Sequence, residues 1–272
     1  MANNRIKLIV SDIDGTLLTK RYEFAPGVEE AVAEARARGV IFVVCTGRMH
    51  AAAMRYARML SLDEPIISYN GAVVKAQNGD VIEASYFSPS LFGRLLLYVE
   101  SRGWYAQSYE DDEFYYPKAI PATREYEEAN KLKGHEVGFD GMLSRSARVP
   151  KLLVMRGTAE EADEALRDIK KSFDGEILAV KSTATYIEIT MPGVSKGHGL
   201  SVLARRYGVS LGETMTMGDA GNDISMIEAA GVGVAMGNAT DDVKAAADFV
   251  TASVDDGGSA LAINRFVLGK QE

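Results

Sequence analysis

Short apolar runs alternate with helical patterns at both ends of the chain, and this alternation restricts the possible folds more than any other feature. Three bounded apolar runs in the first third are typical of buried strands: Ile6–Val10, Val40–Cys45 and Pro65–Ser68. Helical patterns at Pro26–Arg38 and Met49–Leu60 separate these runs. Asn78-Gly79, between two short apolar pairs, predicts a hairpin turn. Strands that alternate with helices in this way predict a parallel sheet covered by helices.

The middle of the chain has a different pattern, in which predicted strands follow one another. Leu91 to Val99 shows helical spacing, and Thr158 and Glu161 have capping-box spacing before another helix that ends near Phe173. Two aromatic runs and three apolar runs complete this region: Trp104–Tyr109, Phe114–Tyr116, Lys151–Met155, Ile177–Val180 and Tyr186–Thr190. The paired strands predict an α+β unit with an antiparallel sheet.

After Val194 the alternation of helices and strands returns. The predicted elements are a helix at Ser195–Tyr207, strands at Thr214–Met217, Val232–Ala235 and Phe249–Val250, and shorter helices near Ile224–Ala230, Asp241–Ala247 and Ser259–Phe266. At about 150 residues per domain, 272 residues predict two domains. We therefore predict a Rossmann-like, doubly wound α/β core formed by residues 1–83 and 190–272. An α+β domain formed by residues 84–189 interrupts it.

Composition and charge exclude several classes of protein. The net charge of −8 argues against non-specific binding to nucleic acid or to acidic lipid, although one local cationic site is enough for a phosphorylated ligand. Cys45 is the only cysteine, so no intrachain disulfide can form. The apolar runs are far shorter than the roughly 18 residues of a membrane-spanning helix, and Lys7 and Asp12 come too early for a signal peptide. We predict a soluble, cytoplasmic protein without a membrane or nucleic-acid partner, whose oligomeric state the sequence does not indicate.

An aspartate pair, Asp12 and Asp14, follows the first predicted strand, at the edge where open α/β sheets bind their ligands. Two like charges repel each other there unless a cation balances them. One carboxylate can attack phosphorus, and a second can give a proton to the leaving group and later activate water. A solvated loop without function is the alternative, and the pair alone does not exclude it.

Two short motifs could hold an anion. Thr46-Gly47-Arg48 follows the second strand, where a hydroxyl group and backbone N–H groups can bind phosphate oxygens. Lys196 lies at a predicted helix start, where its charge opposes the helix dipole unless an anion is present. A simple strand-to-helix turn and an exposed surface lysine are the alternative interpretations.

Acidic residues also follow the strand Thr214–Met217, in the segment from Gly218 to Asp223. A helix-capping role would account for one of Asp219 and Asp223 but not for both. Together with the first aspartate pair they would form a cluster of oxygen ligands for a hard cation, and Mg²⁺ is the usual metal with phosphate substrates.

Taken together, the ordered motifs resemble those of the haloacid dehalogenase-like superfamily, in particular its Cof-type sugar-phosphatase branch. The four motifs are Asp12-Ile13-Asp14-Gly15-Thr16-Leu17, Thr46-Gly47-Arg48, Ser195-Lys196-Gly197 and Gly218-Asp219-Ala220-Gly221-Asn222-Asp223. The stretches Ser68–Ala72 and Gly237–Ala239 are also similar to this branch, and the resemblance covers the whole chain. It implies that the inserted domain is a cap that selects the substrate's leaving group.

The resemblance also implies a role for each acidic residue of the motifs. Asp12 would be the nucleophile and a Mg²⁺ ligand. Asp14 would be the general acid and base and would bind Mg²⁺ through its backbone carbonyl. Asp219 would bind Mg²⁺ directly, and Asp223 would support the metal.

The remaining motif residues would hold the transferring phosphoryl group: Thr46, Gly47, Lys196 and Asn222. The function that follows is a Mg²⁺-dependent phosphatase of small phosphorylated metabolites, with sugar phosphates as the expected class, acting through an aspartyl phosphate. Two alternatives remain open. One is a phosphotransferase or phosphomutase that uses the same site, and the other is a non-catalytic sensor of a phosphorylated ligand, against which the second carboxylate speaks.

Other candidate residues carry less weight. His50, His135 and His198 lack metal-ligand spacing, and Cys45 lies inside a predicted buried strand. The glycine-rich segment from Gly231 to Gly237 lacks the spacing of a dinucleotide-binding loop. Six aromatic residues of the middle region are expected to form the core of the inserted domain, with one or two facing the active site: Trp104, Tyr105, Tyr109, Phe114, Tyr115 and Tyr116.

Overall fold

A computed structural model describes residues 6–270 of the chain. Residues 1–5 and 271–272, which the prediction assigns to the α/β core, lie outside the described residues. The elements of the first part of the chain are β1 (Leu8–Ser11), α1 (Val28–Ala37), β2 (Ile41–Val44), α2 (His50–Met59), β3 (Ile66–Ser68), a 3₁₀ turn (Tyr69–Gly71), β4 (Val73–Lys75) and β5 (Val81–Ala84).

The middle of the chain contributes four helices and six strands. They are α3 (Pro89–Ser101), β6 (Tyr105–Glu110), β7 (Glu113–Tyr116), α4 (Pro121–Asn130), β8 (His135–Glu136), α5 (Gly138–Leu143), β9 (Leu152–Met155), α6 (Ala159–Ser172), β10 (Leu178–Lys181) and β11 (Tyr186–Thr190). Thr158 caps α6, because its hydroxyl accepts from the backbone N–H of Glu161 (3.2 Å). This cap begins the helix at the point that the Thr158 and Glu161 spacing predicts.

The last part of the chain again alternates helices and strands. Its elements are α7 (Lys196–Tyr207), a 3₁₀ turn (Leu211–Glu213), β12 (Thr214–Gly218), a 3₁₀ turn (Gly221–Asp223), α8 (Ile224–Ala229), β13 (Val232–Ala235), α9 (Asp241–Ala246), β14 (Phe249–Val250), α10 (Gly258–Ile263) and a π-helical turn (Asn264–Leu268). The segment from Gly231 to Gly237 is therefore a strand with its ends, not a nucleotide-binding loop.

Contacts within the chain divide it into two compact units. The core unit comprises residues 6–47, 53–83 and 195–270, and the inserted unit comprises residues 48–52 and 84–194. The inserted unit thus extends five residues past the predicted boundary at Ile189. Met191 packs against its apolar core, which accounts for part of this extension.

The core unit contains a five-stranded parallel sheet in the order β14-β13-β12-β1-β2, with apolar residues on both faces. On one face Ile9 and Phe42 pack in a cluster that includes residues of α1, α2 and α10. On the other face Leu8 and Val43 pack in a cluster that includes residues of α7 and α8. Alternate side chains of a strand point to opposite faces, so helices cover both sides of this sheet. The predicted doubly wound α/β fold is confirmed.

The inserted unit contains a six-stranded sheet in the order β10-β11-β9-β6-β7-β8. Its strand pairs are antiparallel except for β7 and β8. One face carries the apolar core of the unit, which includes residues of α3 and α6. Among residues 6–270, no helix has both the length and the apolar character needed to cross a membrane.

Candidate active site

The residues predicted to carry the chemistry lie where core strands end. Asp12 directly follows β1, Thr46 comes two residues after β2, and Asp219 directly follows β12. Parallel strands end at the same edge of a sheet, so these side chains meet there. Lys196 joins them as the first residue of α7, whose cap is the hydroxyl of Ser195.

Lys196 bridges two of the predicted aspartates. Its ammonium donates to Asp12 Oδ1 (2.6 Å) and to Asp223 Oδ1 (2.5 Å), and the lysine is 1% exposed. Burial alone lowers the pKa of Lys196, but the attraction of Asp12 and Asp223 outweighs it and holds this pKa well above its usual range. The site therefore contains a permanent buried cation between two carboxylates.

Asp223 also fixes the loop that carries Asp219. Its second oxygen accepts from the backbone N–H groups of Asp219 (2.9 Å) and Ala220 (3.0 Å). Gly218 permits this close approach, because a Cβ atom there would lie 2.4 Å from the Cβ of Asp223. Asp223 therefore orders the loop as well as supplying a carboxylate.

Thr16 of the first motif and Asn238 hold the side chain of Asp219. The hydroxyl of Thr16 donates to its Oδ1 (3.4 Å), and the amide of Asn238 donates to its Oδ2 (3.3 Å). Gly15 has a φ of +79°, and a Cβ atom on it would lie 2.3 Å from Asp219 Oδ2. A glycine is needed here both for the backbone conformation and for the approach of Asp219.

Carboxylate oxygens of Asp12, Asp219 and Asp223 lie within 4.8 Å of one another. Three carboxylates and one ammonium leave a net charge of −2 when all are ionised. Burial raises the pKa of Asp12 above its usual range, and the neighbouring carboxylates raise it further against the opposing effect of Lys196. Burial and Asp223 similarly raise the pKa of Asp219 to about 7. An excess of negative charge on oxygen donors fits a hard divalent cation. No histidine belongs to this group, which is the one such cluster among residues 6–270.

Asp14 differs from the other three aspartates of the motifs, because it is exposed. Its side chain lies outside the three-carboxylate group, yet its charge raises the pKa values of both Asp12 and Asp219. An exposed carboxylate so close to a buried one can exchange a proton with a bound molecule and with water.

Asn70 brings the predicted phosphate-binding residues together. Its backbone N–H donates to the carbonyl of Thr46 (3.0 Å), and its Oδ1 accepts from the amide of Asn222 (2.9 Å). A Cβ atom on Gly47 would lie 2.8 Å from the same Oδ1, so a larger residue there would displace the side chain of Asn70. Asn70 is left-handed, with φ 58° and ψ 29°, a conformation that asparagine adopts more readily than most residues.

Sequence reasoning assigned no role to Asn70, Asn238 or Thr16, although all three lie in stretches that resemble the family. Their positions in the chain could have identified two of them, since Asn70 comes shortly after the end of β3 and Asn238 shortly after the end of β13. Asn238 also donates to the carbonyl of Gly15 (2.9 Å) and accepts from the N–H of Val254 (2.8 Å), so it ties two loops together.

Several other candidates contribute no carboxylate or ammonium group to this cluster. Cys45 is fully buried, and burial raises the pKa of its thiol, so it packs in the core as a neutral group. His198 contacts exposed Glu83 (2.5 Å), and exposed His135 lies 3.3 Å from Glu113. Arg48 belongs to the inserted unit and donates to Asn130 Oδ1 (3.3 Å).

Comparisons with known proteins agree on one family. A sequence profile described as haloacid dehalogenase-like hydrolase matches residues 9–263. YxeH of Bacillus subtilis is 34% identical over 271 residues, covering 97% of this chain and 99% of that protein. The 5-amino-6-(5-phospho-D-ribitylamino)uracil phosphatase YcsE of the same organism is 31% identical over 271 residues, covering 97% and 96%. The solved structure of BT4131, titled a subclass IIB sugar phosphatase, is 29% identical, with a TM-score of 0.83 and coverage of 96% and 98%.

Proposed function

Since the chain belongs to the haloacid dehalogenase-like hydrolases, we propose that it is a Mg²⁺-dependent phosphatase that forms an aspartyl-phosphate intermediate. Its proposed substrates are small phosphorylated metabolites, in particular sugar phosphates. The observation that carries this proposal is the Lys196 ammonium, buried between the carboxylates of Asp12 and Asp223 beside Asp219. Such a site combines a nucleophile, a fixed positive charge and oxygen ligands for a divalent cation.

Phosphoryl transfer needs in-line attack and neutralisation of charge on the phosphoryl oxygens. An oxygen of Asp12 attacks phosphorus, and the bond from phosphorus to the leaving-group oxygen breaks. Asp14 gives its proton to that oxygen. Water then attacks the phosphorus of the aspartyl phosphate, Asp14 takes a proton from the water, and inorganic phosphate leaves with Asp12 regenerated.

The other site residues hold the phosphoryl group. Lys196 supplies a positive charge, while Thr46, Gly47 and Asn222 lie around Asn70 and offer a hydroxyl, a backbone N–H and an amide. When bound, Mg²⁺ supplies Lewis-acid stabilisation of the phosphoryl charge. We propose Asp12, Asp219 and the backbone carbonyl of Asp14 as its ligands, with Asp223 in support.

The names of the relatives support this substrate class. YcsE is named for a phosphorylated ribitylamino compound, and BT4131 is titled a sugar phosphatase. Both substrates join a phosphate to a polyhydroxylated carbon chain. We also propose that the enzyme acts in the cytoplasm, where such metabolites are found, and that the inserted unit selects the leaving group.

A direct test measures phosphate release from p-nitrophenyl phosphate and from a panel of sugar phosphates, first with Mg²⁺ and then with excess chelator. We expect activity with Mg²⁺, loss of activity in chelator, and poor replacement by Ca²⁺, which accepts more ligands at longer distances. Asp12→Asn should abolish phosphate release, whereas Asp80→Asn, at the exposed hairpin turn, should leave it unchanged.

The same experiment separates the alternatives. Isomerisation of a sugar phosphate without net phosphate release would indicate a mutase, and binding without turnover would indicate a sensor. Full activity in excess chelator, or in Asp12→Asn, would contradict the proposed chemistry.

A further inference from the structure

The sheet of the inserted unit has two chemically different faces. Alternate residues of its strands, such as Ala106, Val154 and Ile187, pack in the apolar core. Residues one position away point to the opposite side. This second face, here called the polar face, carries the polar residues Tyr105, Gln107, Tyr109, Tyr116, Lys151 and Glu188, together with buried Phe114, Leu153 and Met155. The aromatic residues predicted for the core are therefore divided, because Trp104 and Tyr115 pack against the apolar side.

An ion pair lies buried on the polar face. The ammonium of Lys151 is 3.0 Å from Glu188 Oε1, and the two side chains are 2% and 9% exposed. The same ammonium lies 5.0 Å from the ring centroid of Tyr109. Because the cost of removing two charges from water can exceed their mutual attraction, a buried ion pair is weak evidence for a stabilising role. A binding role would account for its presence.

The groups around the pair are hydrogen-bonding ones. The Tyr109 hydroxyl lies 3.2 Å from Gln107 Oε1 and 2.9 Å from the Tyr126 hydroxyl, and Gln107 Nε2 donates to the Tyr105 hydroxyl (2.9 Å). Tyr105 and Tyr186, on the same face, are only half-buried, so this face reaches solvent. Alternating donors and acceptors beside aromatic rings match a chain of carbon-bound hydroxyl groups.

Arg48 belongs to the same unit as the polar face, and in the chain it directly follows Gly47 of the phosphate-binding motif. Arg48 contacts Asn130, one helical turn after Tyr126 in α4. Burial raises the pKa of Tyr126, Lys151 and Arg48 oppose this effect, and Glu188 adds to it. All three charges therefore act on one hydroxyl group, within the same unit.

We propose that Lys151 and Glu188 form a specificity-determining subsite that binds hydroxyl groups of a polyhydroxylated leaving group. The ammonium would donate to one hydroxyl oxygen, and the carboxylate would accept from a neighbouring hydroxyl. This inference rests on the proposed phosphatase function, since it assigns residues to the recognition of that enzyme's substrate.

The test compares substrates with and without hydroxyl groups on the leaving group. Glucose 6-phosphate, ribose 5-phosphate and sorbitol 6-phosphate represent the first class, and p-nitrophenyl phosphate represents the second. The main variant is the double substitution Lys151→Met with Glu188→Leu, because apolar replacement of both partners of a buried pair is often neutral or stabilising. Glu188→Gln, which keeps the side-chain size, is the second variant.

We expect kcat/KM for the best polyol phosphate to fall roughly 10–100-fold in the double variant, as loss of hydrogen bonds to charged groups predicts. For p-nitrophenyl phosphate, kcat/KM of the double variant should stay within about twofold of the wild-type value. The matched control replaces the partly exposed pair Lys181 and Asp163 (2.6 Å), on β10 and α6 of the same unit, with Met and Leu. This control should leave kcat/KM unchanged for both substrate classes.

Two results would overturn the inference while leaving the phosphatase proposal intact. One is an equal change for both substrate classes, which would indicate a structural role. The other is a wild-type enzyme that hydrolyses p-nitrophenyl phosphate but no polyol phosphate. Failure of the wild-type protein to hydrolyse any phosphate ester would instead contradict the proposed function itself.

Discussion

Replacing Lys196 by methionine should damage both the stability and the activity of the protein. Methionine keeps much of the apolar length of the side chain but removes the charge that Asp12 and Asp223 share. The variant would leave buried carboxylates facing one another with no cation between them. The protein would then have to protonate them, draw in water or loosen the loops that hold them.

The size of the effect follows from the two contacts. At an effective dielectric constant of 20, a unit charge pair separated by 2.6 Å attracts by about 6 kcal/mol, and Lys196 makes two such contacts. Desolvation offsets several kcal/mol of this attraction for each ion. Removal of one partner from a buried pair typically costs about 3–5 kcal/mol. At roughly 2–4 °C per kcal/mol for a chain of this size, the unfolding midpoint should fall by roughly 6–20 °C.

Thermal unfolding in the presence of chelator measures this loss without a contribution from bound metal. The control is Lys7→Met, which removes the same charge from an ion pair with Glu213 in which Lys7 is 55% exposed. An exposed pair is worth about 1 kcal/mol or less, so this control should shift the midpoint by only a few degrees.

Phosphatase activity of Lys196→Met should fall by at least about 10²–10³-fold, as for the loss of one preorganised charge partner of a transferring group. An unfolding midpoint within 2 °C of the wild type, together with more than a tenth of its activity, would refute the reasoning. That result would mean that the buried ammonium neither balances the carboxylates nor assists the reaction.

Two further predictions concern the first motif. Gly15→Ala should lower activity about 10²-fold or more, because its Cβ atom would collide with Asp219. Gly39→Ala, at a φ of +82° with open space around it, is the control for backbone strain alone, and steady-state kinetics of both variants compares the two effects. Asp14→Asn should lose proton transfer, worth about 10²–10⁴-fold with sugar phosphates. With p-nitrophenyl phosphate, which has an acidic leaving group, the Asp14→Asn variant should accumulate a phosphoryl group on Asp12. Mass spectrometry of the quenched protein would detect this group. A phosphoryl group on any other residue would contradict the assignment.

The order of elements in the core unit could be predicted because the central strands of its parallel sheet are buried on both faces. Strands such as β2 and β12 are short apolar runs with clear ends, and glycines such as Gly208 end the helices between them. The predicted start of α1 at Pro26 was two residues early, because Gly27 is left-handed and the helix begins only at Val28.

Two helices of the inserted unit were not predicted. Helix α4 buries only Thr123 and Glu127, so it lacks an apolar stripe from which a helical period could be detected. Helix α5 has six residues and begins with a glycine, which disfavours helix. Both helices depend on tertiary contacts that local sequence does not contain.

It was easier to predict from the sequence which residues belong to the candidate site than how buried they are and which hydrogen bonds join them. Position after predicted strands selected Asp12, Asp219 and Thr46. The residue pattern placed Asp14 and Asp223 in one cluster of oxygen ligands, and only the family resemblance gave them different roles. The structure leaves Asp14 exposed and buries Asp223 completely. The hydrogen bonds from Lys196 span 184 and 27 residues, and no local pattern contains pairings over such separations.

From the sequence, we expected a bound phosphate to balance the charge of Lys196 at the start of its helix. In the structure, two carboxylates of the protein itself, those of Asp12 and Asp223, lie beside this ammonium. Asp12 and Asp223 already balance the charge of the ammonium, and with Asp219 the cluster carries a net charge of −2 when all four groups are ionised. A phosphate ester entering this site would meet repulsion unless a divalent cation first cancelled that excess. The proposed dependence on metal would follow from this charge balance, because the carboxylates beside the proposed nucleophile Asp12 would repel the substrate until a cation is bound.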